Sequence, residues 1–181
     1  MQRRVALTGA IGSGKTTVAR ELTEGISRDR AAILSFADGV RWEVAEAAAT
    51  EDLPVGEIIW EMCHTEHKRR WRTALQVWGT EVRRQIFGED YWVERMRGRM
   101  ELYDLDFVVV VDDMRFKNEA DMLREEGFFL VRLAPNPDYE AAETVHASEA
   151  EWASMSVDLE VPWGDLAGRV NIILGEWGEW V

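Results

Sequence analysis

Arg4-Val5-Ala6-Leu7-Thr8-Gly9-Ala10-Ile11-Gly12-Ser13-Gly14-Lys15-Thr16-Thr17-Val18 decides the fold. A short apolar run stops at Gly9, and a helical pattern opens after Gly14, so the stretch reads as strand, glycine loop, helix. Gly9 to Thr16 matches G-x-x-x-x-G-K-[ST] at every required position. Such glycines let successive N–H groups converge on a polyphosphate, and the helix that follows turns its positive end toward it. Gly9, Ile11, Gly12, Ser13, Gly14, Lys15, Thr16 and Thr17 are therefore the expected cradle for ATP. Lys15 would reach the β- and γ-phosphates, and the Thr16 hydroxyl would ligate Mg²⁺. The motif names a nucleoside triphosphate and its metal, and leaves the acceptor open.

Working outward, Ala31 to Ala37 reads as a second buried strand and Arg41 to Ala49 as a helix broken at Leu53-Pro54-Val55-Gly56. From His67 to Ile86, Trp71, Leu75, Trp78 and Val82 form an amphipathic stripe that Gly79 interrupts, predicting a kink or a close backbone approach. A helix is expected over Tyr91 to Leu102. Phe107 to Val111 has no alternation and suits a strand buried on both faces, ending in Asp112-Asp113. A helix over Asn118 to Glu126, a strand over Phe128 to Leu133, a strand over Ser156 to Val161 and a helix over Gly164 to Leu174 complete the chain. Strands alternating with helices behind a glycine loop predict an α/β, three-layer P-loop NTPase fold with a central, mostly parallel sheet. Residues 38–105 are too long for a simple crossover and read as an inserted helical lobe within one domain, 1–181.

The 181 residues fit one domain, and a single cysteine, Cys63, excludes an intrachain disulfide and a Cys-rich zinc site. Cys63, His64 and His67 match no standard zinc spacing. No 18-residue apolar run suggests a membrane span, so a cytoplasmic protein is expected. The formal charge is −13, with 13 basic against 14 acidic groups in residues 1–90 and 8 against 20 in residues 91–181. That balance disfavours stable nucleic-acid binding, which needs a broad basic face, but permits a small phosphorylated ligand in a local arginine pocket. Asp112 and Asp113, at a strand end, are candidate magnesium carboxylates. Arg41, Arg83, Arg84 and Arg115 are candidate phosphate ligands, because the guanidinium fork matches phosphate oxygens. Trp177 and Trp180 in the terminal GEWGEWV have no explanation from the sequence beyond docking on the body or a partner.

The blocks GAIGSGKTT (9–17), SFADGVR (35–41), LQVWGTEVRRQIFGEDYWVERM (75–96), VVVDDMRFKNEADMLREEG (109–127) and HASE (146–149) resemble the deoxynucleoside monophosphate kinases encoded by tailed bacteriophages. The resemblance implies an adenylate-kinase-like plan: a parallel sheet, the 38–105 segment as acceptor lobe, and a lid at 134–150. It implies transfer of the ATP γ-phosphoryl group to a deoxynucleoside 5′-monophosphate, yielding the diphosphate for DNA synthesis, by a monomer or homodimer in the host cytoplasm. Asp38 and Arg41 would serve the acceptor site, Arg84 would grip the monophosphate, with Arg83 its rival, and Trp78 or Trp92 would wall the base pocket. Asp113 and Arg115 would form a D-x-R pair at the transferring phosphoryl group, with Asp113 on the metal. At 100° per residue Arg83 falls about 80° and Arg84 about 180° from Leu75, so helix geometry favours Arg83 unless Gly79 resets the phase, whereas the motif names Arg84.

Two departures stand out. Residues 134–168 contain no Arg or Lys, leaving Arg115, Arg124 and Arg132 to offset developing charge, and Pro162-Trp163-Gly164 replaces the family's Asn-x-Gly element. The alternatives are a P-loop kinase for another acceptor, such as dephospho-coenzyme A or a modified base in DNA, and a regulatory protein that binds ATP without transferring phosphate. In-line transfer to a phosphate monoester needs no strong general base, because the second pKa of the acceptor is about 6.

Overall fold

The computed structural model describes residues 3–24, 26, 30–104, 106–139 and 151–178. In chain order the elements are β1 (Arg4–Gly9), α1 (Lys15–Thr23), β2 (Ala31–Leu34), α2 (Phe36–Ala48), α3 (Val55–Cys63), α4 (Thr65–Gln76), a π-helical segment (Val77–Arg84), α5 (Gln85–Phe87), α6 (Tyr91–Met100), β3 (Val108–Val111), α7 (Lys117–Glu125), β4 (Phe129–Leu133), a 3₁₀ turn (Glu151–Ala153), β5 (Leu159–Val161) and α8 (Leu166–Gly178). They divide into two compact units, residues 1–35 with 97–181, and residues 36–96.

The first unit holds a sheet of order β2-β3-β1-β4-β5 in which every pair is parallel. Parallel strands covered on both sides require apolar residues at successive positions, and β1 and β3 are buried throughout. Val5, Leu7, Val110, Phe129, Val131, Leu133 and Val161 pack with Val18 and Leu22 of α1 and with Val170, Ile173 and Trp177 of α8. Ala6, Val109, Val111 and Leu130, whose side chains alternate to the opposite face, are equally buried. The expected α/β layering is therefore present.

β1 lies between β3 and β4. The chain thus leaves β1 toward one side of the sheet and later returns on the other, which opens a crevice at the carboxyl ends of the strands. Gly9 sits at that end, level with Leu133 of β4. Its φ is 145°, and a Cβ there would lie 2.6 Å from the Leu133 carbonyl oxygen, so only glycine fits.

Several boundaries differ from those expected. The second strand stops at Leu34, because α2 begins at Phe36 rather than Arg41. The expected break is present, since α2 ends at Ala48, and Pro54 also precedes α3, where its carbonyl accepts from the Glu57 and Ile58 N–H groups. Proline is tolerated at a helix start because the first N–H groups have no intrahelical partner. The single helix expected over 67–86 is α4, the π-helical segment and α5 in succession. Within the second unit the Trp92 indole donates to the Gly79 carbonyl at 2.8 Å, and a Cβ on Gly79 would meet both Val40 methyls at 3.4 Å, so the close approach is real. The widened turn changes the helical phase. Arg84, expected to face away from the stripe, is 4% exposed.

Trp177 explains half of the tryptophan-rich tail, because α8 carries it into the core of the first unit at 5% exposure. Trp180, His146, the HASE block and the 140–150 part of the expected lid lie outside the described residues. Trp177→Ala should cost about 3–5 kcal/mol of unfolding free energy, the range for emptying a buried aromatic site. Urea unfolding checks this, and a loss under about 1 kcal/mol would contradict the packing.

Candidate functional site

The loop from Gly9 to Lys15 leaves the central strand and enters α1 in the first unit. Gly12 and Gly14 have φ of 78° and 82°, left-handed values that turn the loop tightly enough for its N–H groups to converge. Ser13 N–H donates to the Ala10 carbonyl, closing the turn. The Lys15 ammonium donates to the carbonyls of Gly9 and Ala10, each at 2.8 Å. That places a positive charge directly on the loop it is expected to serve. The Tyr139 ring packs on the loop so closely that a Cβ on Gly12 would fall 2.5 Å from it.

The hydroxyl of Thr16 donates to Asp112 Oδ2 at 2.7 Å, and Ser35 Oγ donates to Asp112 Oδ1. Asp112 is 6% exposed, and its own N–H donates to the Leu34 carbonyl, which fixes the chain just past β3. Thr8 Oγ1 donates to the Met114 carbonyl at 2.8 Å, tying the end of β1 to the same segment. The expected metal pairing was Thr16 with Asp113. The carboxylate that the structure brings to Thr16 is Asp112, while Asp113 is half-buried. Both lie just past β3, and the bond of the Asp112 N–H to Leu34 fixes the chain where the Asp112 side chain meets Thr16.

This donor set fits magnesium. A hydroxyl and a carboxylate are hard oxygen ligands, and Mg²⁺ typically takes one or two protein oxygens with phosphates and water. Because the Thr16 proton is committed to Asp112, the lone pairs of its hydroxyl remain for a cation. Among the described residues no group of three or more His, Cys, Asp or Glu side chains could hold a metal without a ligand's help.

Glu119, which the sequence reading did not single out, orders the D-x-R segment. It is 2% exposed and reaches back from the first turn of α7 to accept from the N–H groups of Arg115 (2.8 Å) and Phe116 (3.1 Å). Its N3 position is the recognisable signal. Arg115 itself is half-buried. Arg132 pairs with Glu160, its register partner on β5, and donates to the Met155 carbonyl, while Arg124 donates to the Ser156 carbonyl.

The second unit is organised by another residue missed in the sequence, Glu43. Its carboxylate is 7% exposed and accepts from Arg83 Nε (2.5 Å), the Tyr91 hydroxyl (2.5 Å), Trp78 Nε1 (2.9 Å) and Arg95 (3.1 Å). The Arg83 guanidinium also lies over the rings of Trp78, Phe87 and Tyr91 at 4.8–5.8 Å. Only Nε of Arg83 is hydrogen-bonded among the described residues, and its side chain is 23% exposed, so the terminal nitrogens form an oriented, accessible fork. Arg84, by contrast, donates to the Glu89 carbonyl at 3.0 Å from a buried position. Asp38 and Arg41 pair with each other across one helical turn at 2.6 Å. Trp92 is 3% exposed and bound to Gly79, in the interior of this unit.

Burial alone would push the Glu43 carboxyl up, but the bonds from Tyr91, Trp78 and Arg83 outweigh it and hold its pKa below the ordinary 4.5. Burial and the bond to Glu43 push the Tyr91 phenol above 10.0. A carboxylate with a depressed folded pKa stabilises above its unfolded value and loses that contribution as pH falls through the folded one.

No protein-family model matches the chain, and no curated protein does. The solved structures similar to it include the following two. The APS kinase CysC from Mycobacterium tuberculosis, in a cysteine-to-alanine mutant form, is 14% identical, with 98% of this chain and 99% of that one covered and a TM-score of 0.47. APE1195 is 17% identical, with 99% and 97% covered and a TM-score of 0.46. No helix among the described residues is long and apolar enough to cross a membrane.

Two measurements check the site. Asp112→Asn should weaken magnesium-dependent ATP binding at least about tenfold, roughly 1.4 kcal/mol, and more than Asp113→Asn does; titration calorimetry with and without Mg²⁺ decides, and a larger loss at Asp113 would contradict the placement. Glu43→Gln should lower stability at pH 7 by about 3 kcal/mol, since it leaves two cations without their carboxylate. It should also flatten the loss of stability that the wild type shows as pH falls below about 4.5.

Proposed function

We propose that the protein is an ATP- and Mg²⁺-dependent phosphotransferase whose acceptor is a small phosphate monoester, a deoxynucleoside 5′-monophosphate in the leading reading. The Thr16–Asp112 bond, inside a complete glycine-loop motif, carries this reading. It supplies a metal-ready hydroxyl and carboxylate beside Lys15, at the carboxyl end of the central strand. Thr16 and Asp112 would hold Mg²⁺ there, and the bound metal would supply positive charge to offset what develops during transfer.

The protein's own part is placement and charge. The loop N–H groups and Lys15 hold the triphosphate, and Arg115 offers a guanidinium for the transferring group. Glu119 fixes the backbone that presents Arg115. The acceptor's phosphate is assigned to Arg83, because its fork is accessible and already oriented by Glu43 and three rings. A pre-aligned fork loses little rotamer freedom on binding. Arg84 supports the unit from inside. Asp38, Arg41 and Trp78 remain acceptor-side candidates on the resemblance.

Trp92 and Trp78 both commit their indole N–H to the second unit's own acceptors. That favours a second reading, in which the phosphate of the acceptor is recognised and its remainder is not a nucleobase. A coupled assay with ATP, Mg²⁺ and dAMP, dGMP, dCMP, dTMP, dephospho-coenzyme A and APS separates the readings. Turnover with one or more deoxynucleotides is expected, turnover only with another acceptor selects the second reading, and binding without transfer to any acceptor tested contradicts both for these substrates. With the active acceptor, Arg83→Ala should raise its KM at least about tenfold with the KM for ATP unchanged. Arg84→Ala should act chiefly by destabilising the fold. A KM effect confined to Arg84→Ala would reverse the assignment.

A further inference from the structure

Arg169 is the only basic residue after Arg132 in the sequence. Asp165 caps the start of α8, accepting from the Gly168 N–H at 2.8 Å, and one turn in, the helix aims Arg169 at the glycine loop. Both belong to the first unit. Nη2 of Arg169 donates to the Ser13 carbonyl at 2.7 Å, and Nη1 is the atom nearest to where a Gly14 side chain would begin, at 3.2 Å. The guanidinium lies 4.9 Å from the centre of the Trp163 ring. The residue is 4% exposed, Nε is buried without a hydrogen-bond partner, and no carboxylate pairs with it among the described residues.

A buried guanidinium without a counter-ion is costly, and one carbonyl with one aromatic face compensates it only in part. A neutral amide could bond to the Ser13 carbonyl without that cost. Burial moves the pKa of Arg169 down from its ordinary value, yet an arginine has margin enough to remain charged at neutral pH. What the position lacks is an anion, and the loop it supports is the one read as a polyphosphate site.

We infer that Arg169 is a positioning residue of that loop: it fixes the Ser13–Gly14 segment and places a buried positive charge beneath it, which a bound polyphosphate compensates. The inference rests on the loop being a polyphosphate site. It adds that affinity there depends on a charge in the last helix that the motif does not contain. It also makes ligand binding stabilise the fold by relieving an internal electrostatic cost.

The test compares wild type, Arg169→Gln, Arg169→Lys and Lys15→Ala by calorimetric titration with tripolyphosphate and with ADP at low salt, alongside melting curves with and without ligand. Arg169→Gln should melt, without ligand, no lower than wild type, because the uncompensated charge is gone. It should bind tripolyphosphate at least tenfold more weakly, lose most of the ligand-induced rise in Tm, and show a shallower salt dependence. Arg169→Lys should recover a substantial part of the affinity, since it restores charge without the fork. Wild-type binding by Arg169→Gln, while Lys15→Ala is impaired, would overturn the inference and leave the loop reading intact. Equal losses in Arg169→Gln and Arg169→Lys would overturn the role of charge. No tripolyphosphate or ADP binding by wild type would overturn the loop reading and this inference with it.

Discussion

The hydrogen bond from Thr16 to Asp112 is the constraint on which the rest of the first unit converges. Thr16 is fixed by the start of α1, and Asp112 by the end of β3. For their side chains to meet, β3 must lie beside β1 in the parallel register that sets Ala6 against Val111. In the observed order β2 lies outside β3, and β4 lies on the far side of β1. Asp112 is 6% exposed, and a carboxylate buried there without partners would cost several kcal/mol. Both carboxylate oxygens accept a hydroxyl, one from Thr16 and one from Ser35.

The two units treat buried charge differently. Glu43 is an anion surrounded by four donors, and its surplus of positive charge is turned toward accessible arginine nitrogens. Arg169 is a cation with one carbonyl and one ring, and it is left short of negative charge. Either arrangement leaves positive charge near a surface that an anion can reach, in a chain whose formal charge is −13. In the proposed function, recognition of phosphates rests on a few placed guanidinium and ammonium groups, each ordered by its neighbours.

Local chemistry was legible in the sequence wherever it repeats within a few residues. The glycine loop and the unalternated valines of β3 name their own structures. Glu119 was legible too, from its place in the first turn of α7, although it was passed over. The bond from Thr16 to Asp112 was not, because the D-x-R pattern points to Asp113 and only the fold brings its neighbour to Thr16. The burial of Arg84 was not legible for a related reason: a wheel of constant pitch turns it away from the stripe and cannot anticipate a π-helical segment, whose one signal was Gly79. Glu43 lies 35–52 positions before its partners and Arg169 lies 156 after the Ser13 carbonyl, so only the tertiary fold assembles either group. Pro54 was legible as the end of one helix but not as the start of the next, since a residue that breaks one helix can begin another.

The central claim is that the loop from Gly9 to Thr16 closes on a magnesium-bound triphosphate and is held to β3 by Asp112. Amide hydrogen exchange of the intact protein measures this most directly, comparing free protein, MgATP, ATP with chelator, and adenosine. The account predicts strong added protection at Gly12 to Thr16 and at Asp112 with MgATP, weaker protection without the metal, and none with adenosine. Exchange at Gly12 to Thr16 unchanged by MgATP at saturating concentration would contradict it.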